Sequence, residues 1–168
     1  MGRYLIVANQ TLGGAGLDME IRERIDRSPS VFYVAVPLTK VEHETTRWSG
    51  GFPLSDEMSA EAARAMMEAA EKEHEEALEA AHQRAQHRLG LMVDKVVAAG
   101  GKAEGEVGLD DDPVEVTRAV LQRQGEFDEI IVSTLPAGLS RWVKMDAPSR
   151  IARLTETPVT TVEADEES

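Results

Sequence analysis

The chain has 168 residues, 42 % of them hydrophobic, and carries a net charge of −13 from 31 acidic and 18 basic side chains. That length suits one domain with a real core and argues against wholesale disorder, while the charge repels nucleic acid and anionic lipid, so neither is an expected partner. No stretch approaches the about 18 apolar residues of a membrane span, and the absence of cysteine excludes disulfides and thiolate metal sites and fits a cytoplasmic protein.

The first apolar run, YLIVA at residues 4–8, is too short for the core of a signal peptide and reads as a buried strand. VFYVAV at 31–36 reads as a second. Between them Leu17, Ile21 and Ile25 recur every four residues, the stripe of an amphipathic helix that stops before Pro29. Residues 40–54 are loop by their Gly50-Gly51 pair and Pro53, and carry Trp48 and Phe52. From Ser55, an N-cap candidate, to about residue 99 there is no proline and much alanine. One helix of that length would span roughly 65 Å, so it either projects or breaks, at Gly90 or in the acidic middle where Glu71, Glu75 and Glu79 repel at i,i+4. Leu78, Ala81, Ala85, Leu89, Val93 and Val96 share a face that is expected on the sheet.

Residues 102–108 read as a third strand. A helix follows with Asp112 as N-cap, Pro113 first, Glu115 in capping-box position and Gly125 as C-cap. Residues 127–133 form a fourth strand, 148–154 a helix and 158–162 a fifth strand. EADEES at 163–168 reads as an acidic tail. Strands alternating with helices imply a parallel α/β sheet covered on both faces. The expected organisation is a single domain over 1–162, with 40–77 as a loop and helical insertion.

Two constellations invite chemistry and are better explained without it. His43, His74, His82 and His87 lack an acidic partner at ligand spacing, and histidines on a charged helix are commonplace. The run Asp110, Asp111 and Asp112 serves the positive end of a helix more readily than an acid/base pair or a magnesium ion. Near the strand ends no serine–histidine–acid, metal or paired-carboxylate set can be assembled, which favours a non-enzymatic protein.

The ordered set of a third strand, a helix opened by DP, then FDEIIVST, GLSR, SRIARLT and PVTTV resembles the universal stress protein family. The resemblance covers 102–162 well, 4–36 in pattern, and 40–77 hardly at all. It implies a Rossmann-like open five-stranded parallel sheet in order 3-2-1-4-5, helices on both faces and an extended helix inserted after strand 2. It also implies a crevice at the carboxyl ends of strands 1 and 4, between loops 9–16 and 133–138. Many members bind ATP there; others do not and act as dimeric stress-response modules, often paired through the last strand, here 158–162.

The family's nucleotide motif is Gly-x-x-Gly, nine residues, then Gly-Ser or Gly-Thr. Its first glycine falls on Ser133, its second on Leu135 or Pro136, and its final pair on Met145 and Asp146; Gly138 matches a neighbouring glycine. Asn9 replaces an aspartate that contacts adenine, and Val36 is compatible with a base contact. Glycines in such a loop let backbone N–H groups approach phosphate oxygens; Leu135 and Met145 interpose side chains, and Pro136 has no N–H. Asp146 is expected to cap the helix that follows, filling with its own carboxylate the place of an external anion. A phosphate charge about 4 Å away would be repelled by about 4 kcal/mol at an effective dielectric near 20, roughly a thousandfold in affinity.

The resulting expectation is a non-enzymatic regulatory or stress-response homodimer with a degenerate ATP site and no cofactor. An alternative reading keeps ATP, AMP or another phosphorylated ligand in the same crevice. Residues 139–153 hold Arg141, Lys144, Arg150 and Arg153 against Asp146 alone, and guanidinium groups grip phosphates without a glycine loop. In that reading Arg141 and Lys144 hold the ligand, with Asn9, Val36, Ser133, Thr134, Gly138 and Ser140 lining the crevice. Trp142 is expected to pack or to serve an interface rather than stack on a base.

Overall fold

The computed structural model describes residues 2–8, 14–38, 60–109, 112–134 and 146–163. By its contacts the chain divides into two units, one of residues 1–39 with 84–168 and one of residues 40–83.

The first unit is built on five strands: β1 (Gly2–Ala8), β2 (Ser30–Val36), β3 (Lys102–Val107), β4 (Glu129–Thr134) and β5 (Val159–Glu163). They are hydrogen-bonded in the order β3-β2-β1-β4-β5, every pair parallel. This is the expected sheet, with small shifts at its ends. β1 begins at Gly2, whose N–H donates to the Pro29 carbonyl at 2.9 Å, and β4 begins two residues later than expected. Phe127 precedes β4 and is buried beside Tyr33, their ring centroids 6.4 Å apart. β5 takes in Glu163, the first residue of the expected acidic tail.

Strand alternation sorts the core into two layers. Leu5, Val7, Tyr33, Ala35, Ile130 and Val132 pack with α3 (Pro113–Gln124) and α4 (Ala147–Ala152), through Val114, Val116, Val120, Ala147 and Ile151. The intervening residues Ile6, Phe32, Val34 and Ile131 face the other side, where α1 (Gly14–Arg27) and the later part of α2 (Ala60–Ala98) lie. On that side a Cβ at Gly105 would come within 2.2 Å of the Val34 carbonyl and 2.7 Å of Leu89, so glycine is what lets α2 sit this close to β3. α1 and α2 are neighbours: a Cβ at Gly101 would meet Ile25 and Val96, each at 3.1 Å, and Lys95 Nζ lies 2.8 Å from Asp18 Oδ1.

α2 runs 39 residues without a break, through Gly90 and through its acidic middle. Its buried stripe is Ala81, Ala85, Leu89, Met92 and Val96. That corrects the expectation at two places: Met92 takes the buried position assigned to Val93, which is half-buried, and Leu78 is exposed. In the second unit the described residues are the start of the same helix, and from Glu61 to Glu76 every side chain but Ala63 is exposed.

A charged network fastens α1 to the sheet. Arg24, 5 % exposed, makes a two-pronged pair with Glu129 of β4, both bonds 2.6 Å, and a third bond to Glu20 at 2.6 Å. Thr160 of β5 donates its hydroxyl to the same Glu129 carboxylate. Burial pushes the Glu129 pKa up, but the hydrogen bonds from Arg24 and Thr160 outweigh it and hold the carboxyl below its ordinary value. The Glu129 hydrogen bond in turn raises the Arg24 pKa.

Candidate functional site

The chain lays down β1, β2 and β3 in one direction across the sheet, then returns to place β4 and β5 on the other flank of β1. Connections therefore diverge between β1 and β4, and the carboxyl ends of these two strands frame a crevice. Ala8 and Ser133 pair in register there, Ser133 also pairs with Val162, and Val36 pairs with Val107 on the β2 side. The Val36 carbonyl accepts from the Gly108 N–H at 2.8 Å, and its side chain is buried.

Ser133 and Thr134 end β4, and the pleat sends them to opposite faces. Ser133 shares the face of Glu129 and Ile131, under α1; Thr134 shares that of Ile130 and Val132, under α3 and α4. Both side chains are fully buried, and neither hydroxyl has a hydrogen-bond partner among the described residues. A buried hydroxyl without a partner costs about 1–3 kcal/mol, so two in succession at the mouth of the crevice are an unmet demand for polar groups. This signal is invisible in the sequence, where a serine and a threonine ending a strand are unremarked.

Of the other candidate residues, Asn9, Gly138, Ser140, Arg141 and Lys144 lie outside the described residues, as do Trp142, Leu135, Pro136 and Met145. Asp146 is described, and it corrects an expectation. It stands at the N-cap of α4 with φ 54 and ψ 38, and its side chain makes no capping hydrogen bond. Its carbonyl accepts from the Arg150 N–H at 3.0 Å, so the backbone starts the helix while the exposed carboxylate stays out of it. Two causes combine. An N-cap side chain normally reaches the N2 or N3 amide from an extended backbone, not a left-handed one; and the N2 residue here is Pro148, which has no N–H. Asp146 is the one positive-φ residue other than glycine among the described residues, in a conformation glycine adopts freely and aspartate tolerates better than most.

Asp112 behaves as expected at the start of α3. Its φ and ψ are −82 and 115, and its Oδ1 accepts the Val114 N–H at 2.9 Å. Gly125 closes the helix at φ 83 with its N–H on the Leu121 carbonyl. Glu115 pairs with Arg118 at 3.0 Å. Among the described residues no group of three or more His, Cys, Asp or Glu side chains could hold a metal ion, and no helix is long and apolar enough to cross a membrane. A cavity of about 600 Å³ opens beside the far edge strand β3, between Glu106, Val107 and Gly108 and the α3 residues Val116, Ala119 and Arg123. The Glu106–Arg123 ion pair spans it, away from the β1–β4 switch point.

No family model matches the chain, and no curated protein does. Among solved structures, the chain is similar to a universal stress protein from Archaeoglobus fulgidus, with a TM-score of 0.54 at 10 % identity, covering 96 % of this chain and 93 % of that one. A second structure, of the universal stress protein from Archaeoglobus fulgidus in complex with dAMP, aligns over 96 % of this chain and 99 % of that one at 11 % identity and a TM-score of 0.46. A universal stress protein in complex with cAMP aligns over 98 % and 100 % at 13 % identity and 0.45. At these identities what is shared is the fold: a five-stranded parallel sheet with the same kind of helical cover.

Proposed function

We propose that this chain, which has the fold of a universal stress protein, is a non-enzymatic regulatory module of that kind, dimeric and cytoplasmic, with a degenerate ATP site. The domain runs over 1–162 with 40–77 as its insertion and 163–168 as a tail. One observation carries the reading. At the turn that opens α4, where the resemblance calls for glycine followed by serine or threonine, the backbone keeps a glycine-like φ of 54 but carries an exposed carboxylate. A triphosphate laid against that turn meets the Asp146 charge whether or not the carboxylate caps the helix, and like charges about 4 Å apart repel by at most about 4 kcal/mol at the protein surface, less where water and salt screen the exposed carboxylate. Titration of the full chain with ATP by calorimetry is expected to give no saturable binding below about millimolar, and the purified protein is expected to show no nucleotide absorbance. Replacing Met145→Gly and Asp146→Ser together raises ATP affinity at least tenfold; submillimolar ATP binding by the unaltered protein overturns the reading. Sedimentation is expected to show a dimer, formed through the edge strand β5, and a monomer there counts against this part of the reading.

A second reading keeps a phosphorylated ligand in the crevice, and the unpartnered hydroxyls of Ser133 and Thr134 favour it. There Asn9, Val36, Gly138 and Ser140 line the space and Arg141 and Lys144 hold the phosphate. Its test is the double change Arg141→Gln and Lys144→Gln, which abolishes AMP or ATP binding if the reading holds.

A further inference from the structure

The opposite wall of the crevice, made by α1 and α2, carries charge that neither reading uses. Arg84 and Arg88 stand one turn apart on α2, in a chain with a net charge of −13. The positions three and four away from each hold Ala80, Ala81, Ala85, His87, Leu91, Met92 or the other arginine, so the helix itself offers neither of them an acid. Among the described residues no carboxylate forms an ion pair with either. Arg88 is half-buried, and its pKa is lowered, first by burial and then by the Arg84 charge. An anion beside it would relieve both.

Helix geometry says where Arg88 lies. Leu89 sits over Gly105 and Val34, and α2 runs back from the carboxyl end of the sheet towards the start of β3. Helical side chains lean towards the N-terminus, so Arg88 reaches towards the carboxyl ends, where Val36 and Val107 are paired. Lys95 is seven residues on, on the same side of the helix, and it meets Asp18 of α1. Arg88 is thus about 10 Å nearer the carboxyl end than that contact, while the start of α1 at Gly14 is about 6 Å nearer. By helix rise alone Arg88 is thus placed on the α1 side of α2, about one turn beyond the start of α1.

That turn is suited to an anion. α1 is 14 residues long with no acidic residue in its first turn, and the first N–H groups and dipole of such a helix favour an anion. Gly16 brings it down onto the sheet, since a Cβ there would lie 3.2 Å from Val162, the register partner of Ser133. Beneath it, on the same face, is the fully buried Ser133 hydroxyl, which has no hydrogen-bond partner among the described residues. We propose that the first turn of α1, the Ser133 hydroxyl and the Arg88 guanidinium form a binding site for a phosphoryl group, on the wall of the crevice away from Asp146.

The experiment is a phosphate titration of the full chain, followed by its melting temperature, in buffers matched for ionic strength with sodium chloride. The melting temperature rises with phosphate and saturates. Arg88→Gln, with an unchanged far-ultraviolet spectrum, weakens the response at least tenfold. Arg88→Lys keeps the charge without the fork and lies between, and it serves if the glutamine variant does not fold. Ser133→Ala melts higher than the parent without phosphate, having lost an unpartnered buried hydroxyl, and binds phosphate more weakly; a general loss of structure would move the first of these the other way. Phosphate acting no more strongly than chloride, or Arg88 variants titrating like the parent, overturns the site. So does loss of the response in the Arg141→Gln, Lys144→Gln variant, which would place the anion on the other wall and leave the second reading above standing.

Discussion

The starts of α3 and α4 look alike as text: Asp112 precedes Pro113, and Asp146 precedes Ala147-Pro148. In the folded chain they do different things. Asp112 has an extended backbone and accepts the Val114 N–H, whereas Asp146 is left-handed and its carboxylate caps nothing. The displacement of proline by one position accounts for much of this. At the first helical position proline removes an N–H that the cap does not need; at the second it removes one of the two that the cap could have used. An aspartate before a helix thus announces the helix start without announcing where its charge goes, and at α4 that charge is left exposed and out of the cap.

A third carboxylate puts these two on a scale. Glu129 is held by two bonds from Arg24 and one from Thr160, largely out of water. Glu129→Ala leaves the Arg24 charge buried with only Glu20, and costs about 3 kcal/mol of stability in urea unfolding. Because the Glu129 pKa is lowered in the folded state, its contribution is fully present above the unfolded value of about 4.3 and is lost as pH falls through the lower folded value. The parent is therefore more acid-labile than Glu129→Gln relative to each protein's own stability at neutral pH, and equal acid sensitivity of the two would break the comparison at its strong end.

The cap at α3 comes next. Asp112→Ala loses about 1 kcal/mol, read as a shift of the denaturant midpoint at unchanged slope. The smallest effect belongs to Asp146. Asp146→Gly removes no capping bond and relieves a left-handed residue, so stability rises by a few tenths to about 1 kcal/mol. A loss on the scale of Asp112→Ala would show that the carboxylate does cap α4 in solution.

Much of the fold was legible because its signals are local. The strands announced themselves as short apolar runs rich in β-branched residues, α3 by its Asp112-Pro113 start and Gly125 end, and the segment between β2 and β3 by unbroken helical composition. The less accurate readings share a cause. Helical spacing on α2 allowed Leu78 and Val93 as readily as Met92; contact with β3 through Gly105 selected Leu89, Met92 and Val96. Arg24 and Glu129 are 105 residues apart, and nothing in either neighbourhood marks the partner. The candidate crevice was placed between the loops after β1 and β4 by the family resemblance rather than by any one residue, and most of both loops lies outside the described residues.

By itself the sequence determined the alternation of strand and helix, the excess of negative charge and the absence of glycine at residues 133, 135, 136 and 145, since each is written in neighbouring residues or in simple composition. Only the tertiary structure decided which faces those elements present. It put Ser133 and Thr134 on opposite faces of the sheet with no hydrogen-bond partner among the described residues, and it left the Asp146 carboxylate out of the cap of its helix. The reason is that burial and pairing depend on what arrives from elsewhere in the chain, and backbone propensity carries no record of it.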